Sequence, residues 1–358
     1  MSHYEERLEQ DLERIRCSIA DMADKVQAGI GDAVRALQTG DNALAAKTIL
    51  ADHPINRAMR EIDRLCHAFI AVHLPSGRHL RQLSSSIRAN IALERIGDYA
   101  VTIARVSHQL TVPPGGETGR ELDRIANQTQ VMLGQAIKAL NDLNAETAKA
   151  TMVMEQEIEY DLDAVYNELT ANQDRERVKD LLAVFVVLNH LKRVADQAKN
   201  LCEETVFTVT GEGKRPKVYN ILFVDEGNAG LSQMAEAIAR NRYPGSGTYA
   251  SGGTQPAAAI DEAMAGFMES HGFDMSTAKP GPLDLTHSDL VAKHVIVSLQ
   301  GPVKSYIPEI PFHTTALEWD VGPVPETGAD PGQWEALYRD IASLVRELME
   351  TLRGADAP

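Results

Sequence analysis

Glu94 and Asp98 stand four positions apart in the segment Leu93-Glu94-Arg95-Ile96-Gly97-Asp98. On a helix that spacing sets both carboxylates on one face, where two like charges cost about 0.2–0.5 kcal/mol. A hard cation removes that cost, because carboxylate oxygens suit magnesium, manganese, calcium or iron. The same spacing also describes a plain solvated acidic face, and the pair alone does not separate the two readings. A second candidate is Asp225, which follows the apolar run Tyr219 to Val224 and opens the loop Glu226-Gly227-Asn228-Ala229-Gly230 before Leu231 and Ser232. A strand running through a Gly/Asn loop into a helix aims backbone N–H groups at one point, which is the outline of an anion cradle. Residues 203–358 contain no cysteine, so this part of the chain has no thiolate to act as a nucleophile.

The elements that must carry these residues fall into two styles. Up to about residue 211 the pattern is helical, clearest where Ile55, Met59, Ile62, Cys66 and Phe69 follow one another at spacings of four and three. Cys66 lies in that stripe and reads as core packing. Turn signals stand at Leu74-Pro75-Ser76-Gly77 and at Val112 to Gly116. Similar text recurs across the second turn. The Glu94 segment is echoed by Leu191-Lys192-Arg193-Val194-Ala195-Asp196, and Asp52 to Asn56 lines up with Glu155 to Glu159. The pattern implies two copies of a three-helix unit, residues 1–108 and 118–211, packed as one long bundle.

Residues 212–218 have the Gly, Lys and Pro content of a linker. After it, strands expected at Tyr219 to Val224, Thr248 to Ser251, His294 to Leu299 and Thr314 to Trp319 alternate with helices. The helices are expected at Ser232 to Arg242, Pro256 to His271 and Trp334 to Leu352. That alternation over residues 219–353 implies a doubly wound parallel sheet, so the fold class of the chain is α plus α/β. Ligands of such sheets bind at the carboxyl ends of the strands, which is where Asp225 falls. His190, His271 and His294 have no Cys or His partner at metal spacing and read as packing or surface residues, and Trp319 and Trp334 as core or loop anchors.

Composition narrows the partners. The 35 basic residues against 51 acidic ones give a formal net charge of −16, which repels nucleic acid and anionic membranes. No apolar run approaches the roughly 18 residues that would span a bilayer, so direct membrane insertion is not expected. The charged start MSHYEERLEQ has no signal-peptide core. Cys17, Cys66 and Cys202 are an odd, widely spaced set that fits a reducing compartment. A cytoplasmic location is expected.

The segments LERIGDYAVTIAR and HLKRVADQAKNLCEETVFTVTGE, with the N-terminal MSHYEERLEQ and the two-fold repeat, resemble the PhoU family of phosphate-uptake regulators. The resemblance implies divalent or iron-type metal ions held by acidic pairs on the bundle surface. It also implies repression of phosphate uptake through a phosphate ABC transporter ATPase, a phosphate-sensing histidine kinase, or both, by a homodimer. Carried onto this sequence, the metal candidates are Asp52, Glu94 and Asp98 in the first half and Glu155, Glu159 and Asp196 in the second. Three departures stand out. Asn56 replaces an acid, Pro54 starts or kinks a helix between Asp52 and Asn56, and Lys192 replaces the glutamate of the second pair. The expectation is a weakened site in the first half and a poor one in the second.

Downstream, FVDEGNAGLSQMAEAIA, ASGGTQP and ESHGFDMSTAKPGPLDL resemble the low-molecular-weight protein tyrosine phosphatase and arsenate reductase family. The resemblance implies a loop that begins with a nucleophilic cysteine and ends in Arg-Ser. Here the loop positions are Asp225, Gly227, Asn228, Gly230, Leu231 and Ser232, with Asp225 for the cysteine and Leu231 for the arginine. The implied Asp-Pro general acid falls at about Pro323, and neither Asp320 nor Asp330-Pro331 is in register. These departures imply a non-catalytic module in which Asp225 accepts the loop hydrogen bonds a phosphate would have used. Two alternatives stay open: a phosphatase or arsenate reductase with an unorthodox nucleophile, and a dimeric helical adaptor without metal.

Overall fold

The computed structural model describes residues 3–155, 157–159, 161, 162, 165, 178–214, 216–311, 313–325, 331–355 and 357. The chain divides into two compact units, Met1–Lys214 and Arg215–Pro358. Among the described residues no helix is long and apolar enough to cross a membrane.

The first unit is built from long helices: α1 (His3–Thr39), α2 (Asn42–His73), α3 (Gly77–Ser107), α4 (Gly116–Asp142), α5 (Ala145–Met152) and α6 (Val178–Thr210). In α1, Leu8, Leu12, Ile15, Ile19, Met22, Val26, Ile30, Val34 and Leu37 are all buried. Their spacings of three and four make one apolar stripe along the whole helix. The helix starts are set locally. Asp41 caps α2 by accepting from Leu44 N, and Asn144 caps α5 by accepting from Thr147 N. Pro54 lies inside α2, so the helix runs through it without the hydrogen bond its missing N–H would have made. After a turn at Val153, the described residues from 154 to 165 are helical. There Ile158, Leu162 and Val165 join one continuous core with α1 to α4 and α6. Cys66 and Cys202 are fully buried in that core. Burial pushes their thiols up to about 11 and about 12, so neither is a thiolate nucleophile at neutral pH.

The second unit is a parallel sheet of β1 (Tyr219–Asp225), β2 (Gly247–Gly253), β3 (Val295–Ser298) and β4 (Thr315–Glu318) in the order β2-β1-β3-β4. Helices α7 (Leu231–Arg242), α8 (Glu262–Ser270), α9 (His287–Val291) and α10 (Pro331–Arg353) complete it, with a 3-10 turn at Val303–Ser305. Alternate residues of β1 serve opposite faces. Ile221 and Phe223 pack with α7, α8 and α10, whereas Leu222 and Val224 pack with Leu290, Val303 and Ile307. A strand buried on both sides reads as an unbroken apolar run, which is why β1 is so plain in the sequence.

One sequence expectation fails here. The helix expected from Pro256 begins only at Glu262, capped by Asp261 accepting from Met264 N. The Ala-rich stretch before it is irregular, with a bend at Ala258 and Ala259, and lies against the β1–α7 loop: Gln255 N donates to Glu226 O, Ala257 N to Gly227 O and Asp261 N to Ala229 O, at 2.8–2.9 Å. Tertiary hydrogen bonds override alanine's helix propensity. The short α9 was not anticipated either.

Gly253 sits opposite Asp225 in the β1–β2 register. A Cβ there would come within 2.6 Å of Glu226 O and 2.9 Å of Asn228 N. We expect Gly253→Ala to destabilise the second unit by about 1–3 kcal/mol, as overpacking against rigid backbone does. Urea denaturation followed by tryptophan fluorescence measures this, since Trp319 and Trp334 are the chain's two tryptophans and both are buried in this unit.

Candidate functional site

Asp225 ends β1 with 4% of its surface exposed. Its Oδ1 accepts from Asn228 N at 2.5 Å and its Oδ2 from Ser232 N at 2.9 Å. Gly230, at the start of α7, makes no side-chain cap. The Asp225 carboxylate performs that task from the end of the strand, placing a negative charge at the positive pole of the helix. The loop closes through Asn228 rather than through its glycines. Asn228 takes the left-handed conformation at φ 47°, which asparagine tolerates better than most residues. Its fully buried side chain bonds in three directions. Nδ2 donates to Ser232 Oγ (2.9 Å), while Oδ1 accepts from Gln233 Nε2 (3.1 Å) and Gly281 N (2.8 Å). Because residues 255–261 engage the loop carbonyls from outside, the bound amides of Asn228 and Ser232 turn inward to the carboxylate.

No cation offsets that carboxylate. Leu231 is buried in the sheet core with Phe223 and Met234, and among the described residues no Lys, Arg or His forms an ion pair with Asp225. Tyr306 reports the local field: its phenol is pushed up by burial first, then by the charges of Asp225 and Glu226. The late loop lies close by, since a Cβ on Gly230 would meet Val324 Cγ1 at 3.6 Å. That loop presents Pro323 and Val324 where the sequence comparison sought an acid. Asp320 is exposed, and Asp330 lies outside the described residues. A cavity of about 520 Å³ opens on the far side of Gln233, but neither Asp225 nor Asn228 lines it.

In the bundle, Asp52 of α2 meets Glu94 and Asp98 of α3 across Gly97. A Cβ on Gly97 would stand 3.3 Å from Ile55 Cγ2 and 3.7 Å from Asp52 Oδ1, so the missing side chain lets the two helices approach. Asp52 Oδ2 accepts from Asn56 Nδ2 at 2.5 Å, while Oδ1 is buried without a hydrogen-bond partner among the described residues. The Glu94 carboxyl is pushed up by burial and by the charges of Asp98 and Asp52. Asp98 is pushed up by burial and Asp52, with Arg105 opposing. Three oxygen donors that repel one another, one of them orphaned, suit a hard cation chemically. Among the described residues, however, no three His, Cys, Asp or Glu side chains converge closely enough to hold a metal ion as they stand.

The second repeat differs. Lys192 Nζ donates to Glu159 at 2.7 Å and Lys199 Nζ to Glu155 at 2.8 Å. Asp196 lies between them, its carboxyl pushed up mainly by burial and pulled down by Lys192 and Lys199. The sequence reading named Lys192 and missed Lys199. The signal was present, because residues seven apart lie two turns along one helix face.

Comparison with known proteins follows these boundaries. The PhoU domain family matches residues 19–107 and 122–205, and the low molecular weight phosphotyrosine protein phosphatase family matches residues 220–355. A phosphate-specific transport system accessory protein PhoU homolog of Pseudomonas aeruginosa is 29% identical over 245 residues, covering 67% of this chain and 96% of that protein. Its counterpart in Pseudomonas putida is 30% identical over 218 residues, covering 60% of this chain and 84% of that protein. The chain belongs to the PhoU family. The crystal structure of the phosphate transport system regulatory protein PhoU from Streptococcus pneumoniae superposes with a TM-score of 0.55 at 26% identity, over 58% of this chain and 99% of that one. The PhoU unit therefore continues here into a phosphatase-type α/β unit.

The raised carboxyls of the PhoU unit have a consequence for stability. A carboxyl whose folded-state value lies above its unfolded value keeps its proton longer in the folded protein, so stability is lost as pH rises through that interval. In chelator, Asp98→Asn should melt above wild type at about pH 7, with the gap closing by about pH 4 as the unfolded carboxyls also protonate. Thermal melts across that range test it. A gap that is constant with pH would contradict the assigned cause.

Proposed function

We propose that this chain is a non-catalytic regulator of phosphate uptake and phosphate-starvation signalling. Its bundle engages the ATPase of a phosphate ABC transporter, a phosphate-sensing histidine kinase, or both, as a homodimer, and its α/β unit serves as a docking or sensing module. The regulatory part rests on family membership and on what the relatives' names say of them. The non-catalytic part rests on one observation, the Asp225 carboxylate bonded to Asn228 N and Ser232 N. In the low-molecular-weight phosphatase resemblance the loop amides serve a bound oxyanion. Here the chain supplies that negative group itself, and with Leu231 in the core no cationic side chain among the described residues pairs with it to draw in a phosphate dianion. For the bundle we propose that Asp52, Glu94 and Asp98, which do not converge on one point as they stand, draw together on a hard cation, whose chemistry at that place would be neutralisation of the three carboxylates.

Two measurements on the full chain test this. Calorimetry should find no phosphate or arsenate binding at micromolar concentrations to wild type. Asp225→Asn removes the charge and Asp225→Ala removes the whole occupant, and each should bind phosphate at least about tenfold more tightly than wild type does, a change of about 1.4 kcal/mol. Turnover of p-nitrophenyl phosphate or reduction of arsenate by wild type, lost in Asp225→Ala, would establish the enzyme reading instead. For the bundle, tagged protein from phosphate-replete cells should carry the transporter ATPase or the kinase with it. Glu94→Ala/Asp98→Ala should bring down less of either, and an unchanged yield would count against the acidic face as the regulatory surface.

A further inference from the structure

We propose that the second repeat carries its own cations in place of a metal: the ammonium groups of Lys192 and Lys199 occupy the acidic face of Glu155, Glu159 and Asp196 and close it to divalent ions. The aligned acidic faces of the two repeats show opposite solutions to one electrostatic problem. In the first, Asp52, Glu94 and Asp98 form a set of three carboxylates, with Arg95 opposing the rise at Glu94 and Arg105 that at Asp98. In the second, each glutamate already has a lysine at 2.7–2.8 Å. The positions that align with Lys192 and Lys199 in the first repeat are Glu94 and Val101, and on the facing segment Asp52 and Asn56 align with Glu155 and Glu159.

Energetics favour the tethered cations over a free one. Side-chain exposures are 22% and 35% for Lys192 and Glu159, and 32% and 13% for Lys199 and Glu155. These pairs are less screened than fully exposed ones, which contribute little. A divalent ion entering here would have to expel two ammoniums from carboxylates that already use them, leaving both lysines beside a doubly charged centre. The tethered groups also give up no translational freedom on binding, so they compete at high effective concentration. The occupancy of this face is then fixed by the sequence and does not follow the supply of metal.

The test uses the full chain, stripped with chelator and titrated with Mn²⁺ by calorimetry. Lys192→Glu/Lys199→Val installs the first-repeat residues. It should bind one more Mn²⁺ per chain than wild type, and adding Asp196→Asn should abolish the gain. Its melting temperature in chelator should fall below that of wild type and recover with Mn²⁺. No extra Mn²⁺ in the folded double variant would overturn the proposal. Should that variant not fold, Glu155→Gln/Glu159→Gln decides, because it should leave the Mn²⁺ uptake of wild type unchanged, and a decrease would overturn the proposal. Wild type that binds no Mn²⁺ while the double variant gains a site would sink the first-repeat cation reading and leave this one standing.

Discussion

A buried carboxylate is tolerated only where hydrogen bonds replace the water it has lost, and Asp225 finds them in the amides of the loop that follows it. This one arrangement accounts for much of what surrounds it. The amides of Asn228 and Ser232 must point inward, so the loop carbonyls must point outward and need donors of their own. Gln255, Ala257 and Asp261 provide those donors, and the stretch before Asp261 is irregular rather than helical for that reason. Asn228 must adopt a left-handed turn, and its side chain then ties the loop to Ser232, Gln233 and Gly281. Gly253 must lack a side chain because Glu226 O and Asn228 N fill the space beside it. Each of these residues is explained by where the carboxylate sits.

The bundle faces the same constraint with weaker means. Burial first, and then the charges of carboxylates gathered on adjacent helices, raises proton affinity at Glu94 and Asp98. Gly97 sharpens the problem, since without it α2 would not bring Asp52 so near α3. Among the described residues, one repeat leaves Asp52 Oδ1 without a hydrogen-bond partner, and the other places two lysines on its glutamates. A family whose halves arose by repetition would start with equal faces, and here they have become electrostatically unequal.

Much of this was legible in the sequence because its physics is local. The spacing of Ile55, Met59, Ile62, Cys66 and Phe69 follows the helix period, and all but Met59, which packs against the core from its edge, are buried. The apolar run of β1 and the Asp225 loop were likewise plain, as was the mutual position of Glu94 and Asp98. What escaped depends on distant partners. Alanines at 257–259 favour a helix in isolation, and the carbonyls of a loop some thirty residues earlier, one of which takes Ala257 N, hold the stretch out of one. Gln233 reads as an ordinary helix residue until Asn228 Oδ1 and Lys279 O are seen beside it. Lys199 is conspicuous only once Glu155 is known to reach it.

The loop and the second repeat share a logic that neither shows alone. On the readings proposed above, each is a place for a ligand of one charge that a side chain of the same charge fills: a carboxylate where an anion would lie, and ammoniums where a cation would lie. A tethered occupant is present at high effective concentration whatever the solution contains, so such a site is held in its bound form permanently. Its neighbours are then stabilised without any dependence on free ligand, which a binding equilibrium could not guarantee. A self-filled site cannot respond to concentration. On the function proposed above, that leaves responsiveness to the face shared by Asp52, Glu94 and Asp98.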